Sequence, residues 1–157
     1  MEVVLYRIDD RLIHGQVMTA WAKVTNANHV IIIDDQVVKD AFMCKILTMA
    51  APRDMSVEIL SVEDGIARLK GPEEPGRKTI VLMKIPAVAL KLVEAGVNMP
   101  FLNVGGMGAG PGRKPLFRNI SASPEEVEQL KKIESLGVPV QLQIVPDDKV
   151  TPLSKVR

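Results

Sequence analysis

His14 lies in a stretch whose residue types suit the chemistry of an anionic group. Residues 7–17 read Arg-Ile-Asp-Asp-Arg-Leu-Ile-His-Gly-Gln-Val, between an apolar run at positions 3–5 and apolar residues at helical spacing from Gly15 onward. A strand that ends in a polar turn and passes into a helix would place His14 at the carboxyl edge of a parallel sheet, where open α/β folds bind ligands. Because one imidazole nitrogen is a nucleophile when the other is held by a hydrogen bond, we predict that His14 is the reactive residue.

Cationic side chains and backbone amides flank this histidine. The first free amides of the predicted helix belong to Gly15, Gln16 and Val17, and unpaired amides at a helix N-terminus attract anions. Arg7 and Arg11 precede the histidine, and the planar guanidinium group suits a phosphate or a carboxylate. The sequence therefore predicts an anion-binding site formed by these two arginines and three amides.

Two aspartates in the same turn have more than one possible use. Asp9 or Asp10 would orient the imidazole by a hydrogen bond to one ring nitrogen, which fixes the tautomer. Either residue would equally serve as a helix cap or as an ion-pair partner of Arg7 or Arg11, and the sequence leaves these alternatives open. The second histidine, His29, precedes the second predicted strand, so we expect it at the opposite edge of the sheet in a structural role.

Hydrophobic patterning predicts strands that alternate with helices. Continuous apolar runs mark the strands, and apolar residues three and four positions apart mark the helices. The predicted strands cover residues 3–8, 30–33, 57–60, 79–83, 101–104, 116–120 and 140–145. In the second helix, residues 39–50, the predicted core side consists of Phe42, Ile46, Leu47 and Ala50. We therefore predict an α/β fold of three layers, α/β/α, around a mostly parallel central sheet of six or seven strands.

Three further segments end at the same sheet edge as His14. Asp34 follows the second strand, Lys84 the fourth, and Gly105 and Gly106 the fifth, so we expect these residues to orient the reacting group or to rim the site. The glycine-rich loop at 105–112 is expected to be mobile when nothing is bound. It lacks the P-loop and dinucleotide-binding patterns, and no group of side chains has the spacing of metal ligands. The sequence therefore predicts neither a cofactor nor a metal ion.

Length and charge limit the classes of partner. The chain has 157 residues, so residues 1–157 are predicted to form one domain. The 20 basic and 19 acidic side chains nearly balance, which provides no field to attract nucleic acid. Cys44 is the only cysteine, which excludes an intrachain disulfide, and we expect it in the core. Because the sequence shows neither a signal-peptide pattern nor a long apolar span, we expect a cytoplasmic protein.

Residues 7–17 resemble, nearly residue for residue, the phosphorylation-site segment of one family of bacterial proteins. This family is the IIB component of the mannose/fructose/sorbose family of the sugar phosphotransferase system, or PTS. The segment Asn103-Val104-Gly105-Gly106-Met107 resembles a second family segment, and Lys84 with Pro86 resembles a third. The resemblance covers essentially the whole chain, and it implies a mostly parallel α/β fold and a single IIB phosphocarrier domain.

The resemblance also implies a function and a set of partners. His14 would take a phosphoryl group from a phosphohistidine of the IIA component and deliver it to a sugar at the membrane permease, which consists of IIC and IID. The chain would then be a phosphotransferase that associates peripherally with that permease. A regulatory phosphocarrier without sugar transport would share every residue of the site, so this alternative stays open. The sequence also leaves open the sugar, the phosphorylated ring nitrogen and the oligomeric state.

Histidine-type phosphatases, which form a phosphohistidine and hydrolyse it, are a less favoured alternative. Their signature is Arg-His-Gly, whereas Ile13 precedes His14 in this chain. Such enzymes also need a second active-site histidine, and His29 is expected at the far edge of the sheet. The phosphocarrier is therefore the predicted function.

Overall fold

Strands and helices alternate along residues 1–156, which the computed structural model describes. The strands are β1 (Glu2–Asp9), β2 (His29–Ile33), β3 (Ser56–Leu60), β4 (Lys78–Met83), β5 (Leu102–Gly106), β6 (Lys114–Phe117), β7 (Ile120–Ala122), β8 (Val140–Leu142) and β9 (Thr151–Pro152). The α-helices are α1 (Gly15–Thr25), α2 (Ala41–Ala50), α3 (Val62–Leu69), α4 (Pro86–Glu94) and α5 (Pro124–Ser135). None of these helices combines the length and the apolar character that a membrane crossing requires.

Seven strands form the central sheet, in the order β3-β2-β4-β1-β5-β8-β9. Neighbouring strands are parallel except for β8 and β9, which confirms the mostly parallel sheet predicted from the sequence. The register aligns the carboxyl ends of the central strands. Ile8 of β1 pairs with Met83 of β4 and with Val104 of β5, and Met83 pairs with Ile33 of β2. The segments that follow these four strands therefore meet at one edge of the sheet.

Helices cover both faces of the sheet, as the three-layer prediction requires. Every residue of β2 and all but the first of β4 are buried, because apolar side chains on both faces of these strands pack under helices. The core on the side of α1 and α2 includes Leu5, Ile13, Met18, Trp21, Val30, Leu47 and Leu82. The core on the side of α3, α4 and α5 includes Ile8, Ile31, Val62, Val81, Leu92, Leu102, Leu130 and Ile133.

Three elements differ from the sequence prediction. The strand predicted at 116–120 is an antiparallel hairpin of β6 and β7, because Arg118 has a left-handed φ of +47° that turns the chain. The C-terminal segment, in which no strand was predicted, adds β9 to the edge of the sheet. On α2 only Leu47 is buried, whereas Phe42 is 74% exposed and Ile46 is 43% exposed. The prediction that Phe42, Ile46 and Ala50 lie in the core is therefore wrong, since Ala50 is exposed too and α2 packs through a narrower face than its apolar pattern indicated.

Candidate active site

The turn between β1 and α1 carries His14, the residue that the sequence predicts to be reactive. His14 is the N-cap residue of α1, with extended backbone angles, and its carbonyl oxygen accepts a hydrogen bond from the amide of Met18 at 3.5 Å. Gly15 has a φ of +44°, and no atom lies within 4 Å of the place where its Cβ would stand. The N-terminal amides of α1 therefore begin directly after His14, beside open space.

Asp9, the last residue of β1, orients the imidazole ring. Its Oδ2 lies 3.0 Å from Nε2 of His14. The side chain of Asp9 is 1% exposed, whereas that of His14 is 22% exposed. Because an ionised carboxylate only accepts hydrogen bonds, Nε2 carries the proton and donates a hydrogen bond to Oδ2 of Asp9. The other ring nitrogen, Nδ1, is left with its lone pair available.

Several donors keep the buried carboxyl group of Asp9 ionised. Its Oδ1 accepts hydrogen bonds from the backbone amide of Arg11 at 3.1 Å and from Nε of Arg11 at 3.4 Å. Its Oδ2 also lies 3.3 Å from Nη2 of Arg7. Burial alone would raise the pKa of Asp9, but the hydrogen bonds from His14 and Arg11 and the charge of Arg7 outweigh it, so the pKa lies below its ordinary value. Asp9 is therefore an anion at neutral pH.

Arg7 is the buried partner of Asp9 and is 2% exposed. Its Nη1 donates hydrogen bonds to Oδ1 of Asn103 and, at 2.9 Å, to the carbonyl oxygen of Gln143. Its Nη2 donates to the carbonyl oxygen of Ile144 at 2.7 Å as well as to Asp9. Burial lowers the pKa of Arg7 to about 10, although the charge of Asp9 opposes this change. The structure thus corrects the prediction that Arg7 binds a phosphate, because both terminal nitrogens are already bonded inside the protein.

Arg11 is the arginine of this turn that reaches the surface, and its side chain is 55% exposed. Apart from the contacts of its amide and Nε with Asp9, no partner bonds its terminal nitrogens Nη1 and Nη2 within residues 1–156. The next residue, Leu12, is buried with a φ of +57°, a conformation that costs a non-glycine residue about 1–2 kcal/mol. The buried Leu12 anchors a turn that leaves the guanidinium of Arg11 available for an anion.

Gly105 and Gly106 are the last two residues of β5, and both are buried. A Cβ atom at Gly105 would overlap the guanidinium of Arg7, and one at Gly106 would lie 2.7 Å from Cγ of Asp9. Side chains at these positions would therefore displace the Arg7–Asp9 pair. The two glycines make room for the charged groups that hold His14.

Asp10 ties the glycine-rich loop to the site instead of contacting the imidazole. Its Oδ2 accepts hydrogen bonds from the amide of Gly108 at 2.8 Å and from Nη1 of Arg113 at 3.3 Å. Arg113 also donates two hydrogen bonds of 2.9 Å to the carboxylate of Glu126, which closes the capping box of α5. The loop expected to be mobile is therefore bonded to Asp10 and, through Arg113, to α5.

Comparisons with known proteins agree on one family. The family described as "PTS system sorbose subfamily IIB component" matches residues 3–156. The chain belongs to this family. The sorbose-specific EIIB component of Klebsiella pneumoniae is 38% identical over 148 residues, which cover 94% of this chain and 90% of that protein. The mannose-specific EIIAB component of Escherichia coli K12 is 34% identical over 148 residues, which cover 94% of this chain and 46% of that longer protein.

A solved structure of the same family shares the fold. The crystal structure of the IIBSor domain of the sorbose permease from Klebsiella pneumoniae matches with a TM-score of 0.94 and 37% sequence identity, over 99% of this chain and 95% of that one. This chain is thus a IIB component of the mannose/fructose/sorbose family of the PTS, as the sequence resemblance implied. IIB components of this family have a phosphotransfer role in sugar uptake.

Two other residues of this IIB chain were predicted to lie at the same edge. Asp34 is buried, and its Oδ1 accepts hydrogen bonds of 2.9 Å from the amides of Gln36 and Val37. This carboxylate therefore holds the start of the 3-10 helix Val37–Lys39, and the orienting or rim role predicted for Asp34 stays a prediction. Lys84 follows β4 at this edge and is half-buried, and its role at the rim stays a prediction.

A cleft beside the histidine turn brings together several of the predicted residues of the IIB site. It is lined by Asp10, Arg11, Val17, Gly105, Gly106, Met107, Gly108, Asn119 and Ile144. Asn119 comes from the hairpin of β6 and β7, and Ile144 follows β8. Sequence reasoning missed both residues, and it also missed Arg113. The sequence offered only one signal for them, the charge of Arg113 inside a glycine-rich segment.

His29 lies at the opposite edge of the sheet, at the first position of β2. Its side chain is buried, with Nδ1 2.8 Å from Oγ1 of Thr79 and Nε2 2.6 Å from Oε2 of Glu58. Since β1 and β2 both run parallel to β4, the start of β2 is remote from the end of β1. Within residues 1–156 no second histidine therefore lies near His14, so the phosphatase alternative lacks the second active-site histidine that it needs.

Proposed function

We propose that His14 accepts a phosphoryl group on Nδ1 from a phosphohistidine of the IIA component and passes it to a sugar at the membrane component. The observation that carries this proposal is the hydrogen bond from Nε2 of His14 to the buried carboxylate of Asp9. A phosphoryl acceptor needs a free lone pair, and this contact leaves that lone pair on Nδ1. Residues 1–157 form the single phosphocarrier domain in this proposal.

The transfer from the donor needs little proton movement. The bond between phosphorus and the donor nitrogen breaks as the bond between phosphorus and Nδ1 forms, while the proton stays on Nε2 beside Asp9. Charge on the equatorial oxygens is met by the guanidinium of Arg11 and by the N-terminal amides of α1 at Gly15, Gln16 and Val17. In the second transfer a sugar hydroxyl attacks phosphorus, the bond to Nδ1 breaks, and the released nitrogen takes the hydroxyl proton.

The openness of the site suits a carrier that must release what it binds. One guanidinium, that of Arg11, reaches the surface, while Arg7 is occupied by protein acceptors. Charge-assisted hydrogen bonds from several arginines would hold a phosphoryl group more strongly. A site with few surface cations therefore suits a protein that accepts a phosphoryl group and then releases it, more than one that retains it.

The partners follow from the family. The mannose-specific relative from Escherichia coli is named an EIIAB component, so its IIA and IIB parts share one protein. We propose a IIA component as the phosphoryl donor of this chain and a IIC and IID permease with bound sugar as the acceptor. The chain would then work at the cytoplasmic face of the membrane, in peripheral contact with that permease.

A transfer experiment tests the proposal and separates it from a purely regulatory phosphocarrier. The phosphorylated chain is mixed with membrane vesicles that contain the IIC and IID components and labelled sugar, and vesicles without these components are the control. We expect sugar phosphate to appear as phosphate leaves the chain, with none formed by His14→Ala. A phosphorylated chain that keeps its phosphate in the presence of the permease and sugar would contradict the transport role and support the regulatory one.

A further inference from the structure

We infer that Arg7 is a positioning residue of the phosphoryl transfer, which acts through Asp9 and never touches the phosphoryl group. This inference rests on the proposed function, in which Nδ1 of His14 is the acceptor. Arg7 was expected to bind the anion directly, but both of its terminal nitrogens donate hydrogen bonds to acceptors inside the protein. Oδ2 of Asp9 is the shared atom, 3.3 Å from Nη2 of Arg7 and 3.0 Å from Nε2 of His14.

The hydrogen bonds of Arg7 fix the position of its guanidinium from several parts of the fold. Asp9 belongs to β1 and Asn103 to β5, while Gln143 and Ile144 follow β8. All four accept hydrogen bonds from the two terminal nitrogens of Arg7. The planar fork of arginine makes such a set of bonds, and the single ammonium group of lysine does not.

An aromatic ring and a glycine adjoin the guanidinium of Arg7. The Cζ atom of Arg7 lies 5.0 Å from the ring centroid of Trp21, whose Nε1 donates to the carbonyl oxygen of Ile144 at 3.2 Å. That carbonyl is the one that Nη2 of Arg7 also uses. Gly105 also adjoins the guanidinium, and a Cβ atom at this position would overlap it. Arg7 is therefore held in one position, and it holds Asp9 in turn.

The charge of Arg7 has a chemical consequence at the imidazole. A lone buried carboxylate beside a histidine favours the doubly protonated ring, and a proton on Nδ1 would block phosphorylation. The buried Arg7 offsets the charge of Asp9. The other charged groups that face this region are Arg11, bonded to Asp9, and the Asp10–Arg113 pair. Arg7 thus balances the charge of the carboxylate that accepts the hydrogen bond from Nε2 of His14.

The test compares Arg7→Met, which removes the charge, with Arg7→Lys, which keeps it, and with Arg53→Met as a control at an exposed site. Phosphoramidate, a small donor with a phosphorus–nitrogen bond, releases ammonia as it phosphorylates histidine, so partner docking plays no part. Uptake by each variant is measured across pH, and ¹⁵N and ³¹P NMR identify the phosphorylated nitrogen. A phosphorylated IIA domain is the second donor.

We expect Arg7→Met to lose about 10- to 100-fold in uptake rate, as when a partner that orients a histidine is removed. As the pH is lowered, the uptake rate of Arg7→Met should begin to fall at a higher pH than the rate of the wild type. In this variant NMR should also find part of the phosphate on Nε2. Arg7→Lys should take up phosphate more slowly than the wild type, but its rate should fall at the same acidic pH. Arg53→Met should match the wild type in both the rate and the pH profile.

An Arg7→Met variant with the wild-type pH profile and phosphate on Nδ1 alone would overturn the inference. If that variant does not fold, Arg7→Lys decides, because a wild-type rate in a folded lysine variant would show that the arginine fork positions nothing. Failure of the wild type with both donors would overturn the proposed function, and the inference with it. A loss confined to the Arg7 variants supports the inference.

Discussion

Oδ2 of Asp9 lies 3.0 Å from Nε2 of His14, and this contact determines which imidazole nitrogen is free to react. In Asp9→Asn the carboxylate becomes an amide, which no longer holds the proton on Nε2 or stabilises charge on the ring. We expect phosphate uptake to fall about 10²- to 10⁴-fold, the range typical of an acid–base group or of its orienting partner. The measurement is the rate of phosphate uptake, and circular dichroism checks that the variant is folded. An unchanged rate in the folded variant would refute the role of Asp9.

Arg11→Ala should separate catalysis from stability. The side chain is 55% exposed, so its loss should change the free energy of unfolding by no more than about 0–1 kcal/mol. Phosphate uptake should slow clearly, because the terminal nitrogens that would meet the phosphoryl oxygens are gone. Urea unfolding and uptake kinetics are measured side by side, with Arg53→Ala as the matched exposed arginine. Equal uptake by the two variants would remove Arg11 from the site.

Gly106→Ala should displace Asp9, because Gly106 lies in β5 next to the Asp9 carboxylate. The new Cβ atom would lie 2.7 Å from Cγ of Asp9, so we expect a loss of about 1–3 kcal/mol in the free energy of unfolding, together with slower uptake. Gly110→Ala is the matched control, because no atom lies within 4 Å of its Cβ position and the residue is exposed. Urea unfolding of both variants checks the prediction, which fails if the two lose equal stability.

His29 should make the stability depend on pH. Burial lowers its pKa, although its hydrogen bond to Glu58 opposes this change, so the folded protein favours the neutral ring. The unfolded chain then binds more protons than the folded chain below about pH 6.5, the ordinary value for histidine. The stability contributed by His29 is therefore present above that pH and is lost as the pH falls through the lowered pKa.

The check is the free energy of unfolding at about pH 7.5 and about pH 5.5, on either side of the ordinary histidine pKa. We expect the decrease in stability from the higher to the lower pH to be smaller in His29→Gln than in the wild type. The same decrease in both proteins would show that His29 does not contribute to the pH dependence.

The sheet and its layers were predictable from the sequence because their signals are local. The buried run at 30–33 and the capping box of Ser123 and Glu126 each fix an element without information from the rest of the chain. Phe42 shows the limit of this approach, since the apolar pattern of α2 does not reveal how many of its side chains find a neighbour to pack against. The edge strand β9 was missed for the same reason, because its pairing with β8 depends on contacts between segments.

The position of His14 at the start of α1 was predictable from the sequence, and the arrangement of the residues around it was predictable only in part. The motif gave the histidine, but it did not distinguish a surface arginine from a buried one, and Arg7 and Arg11 proved to have different positions. That difference arises from carbonyl acceptors at Gln143 and Ile144, far along the chain. The need for Gly105 and Gly106 likewise depends on side chains from the neighbouring strand, which no local pattern contains.

The most direct test of the central claim is the intact mass of the chain after incubation with a phosphorylated IIA component at mildly alkaline pH. Wild type, His14→Ala and His29→Gln are compared, and brief acid treatment shows whether the phosphate is labile, as a phosphohistidine is. We expect one acid-labile phosphate on the wild type and on His29→Gln, and none on His14→Ala. Phosphate on His14→Ala at the wild-type level would contradict the assignment of His14 as the phosphoryl acceptor.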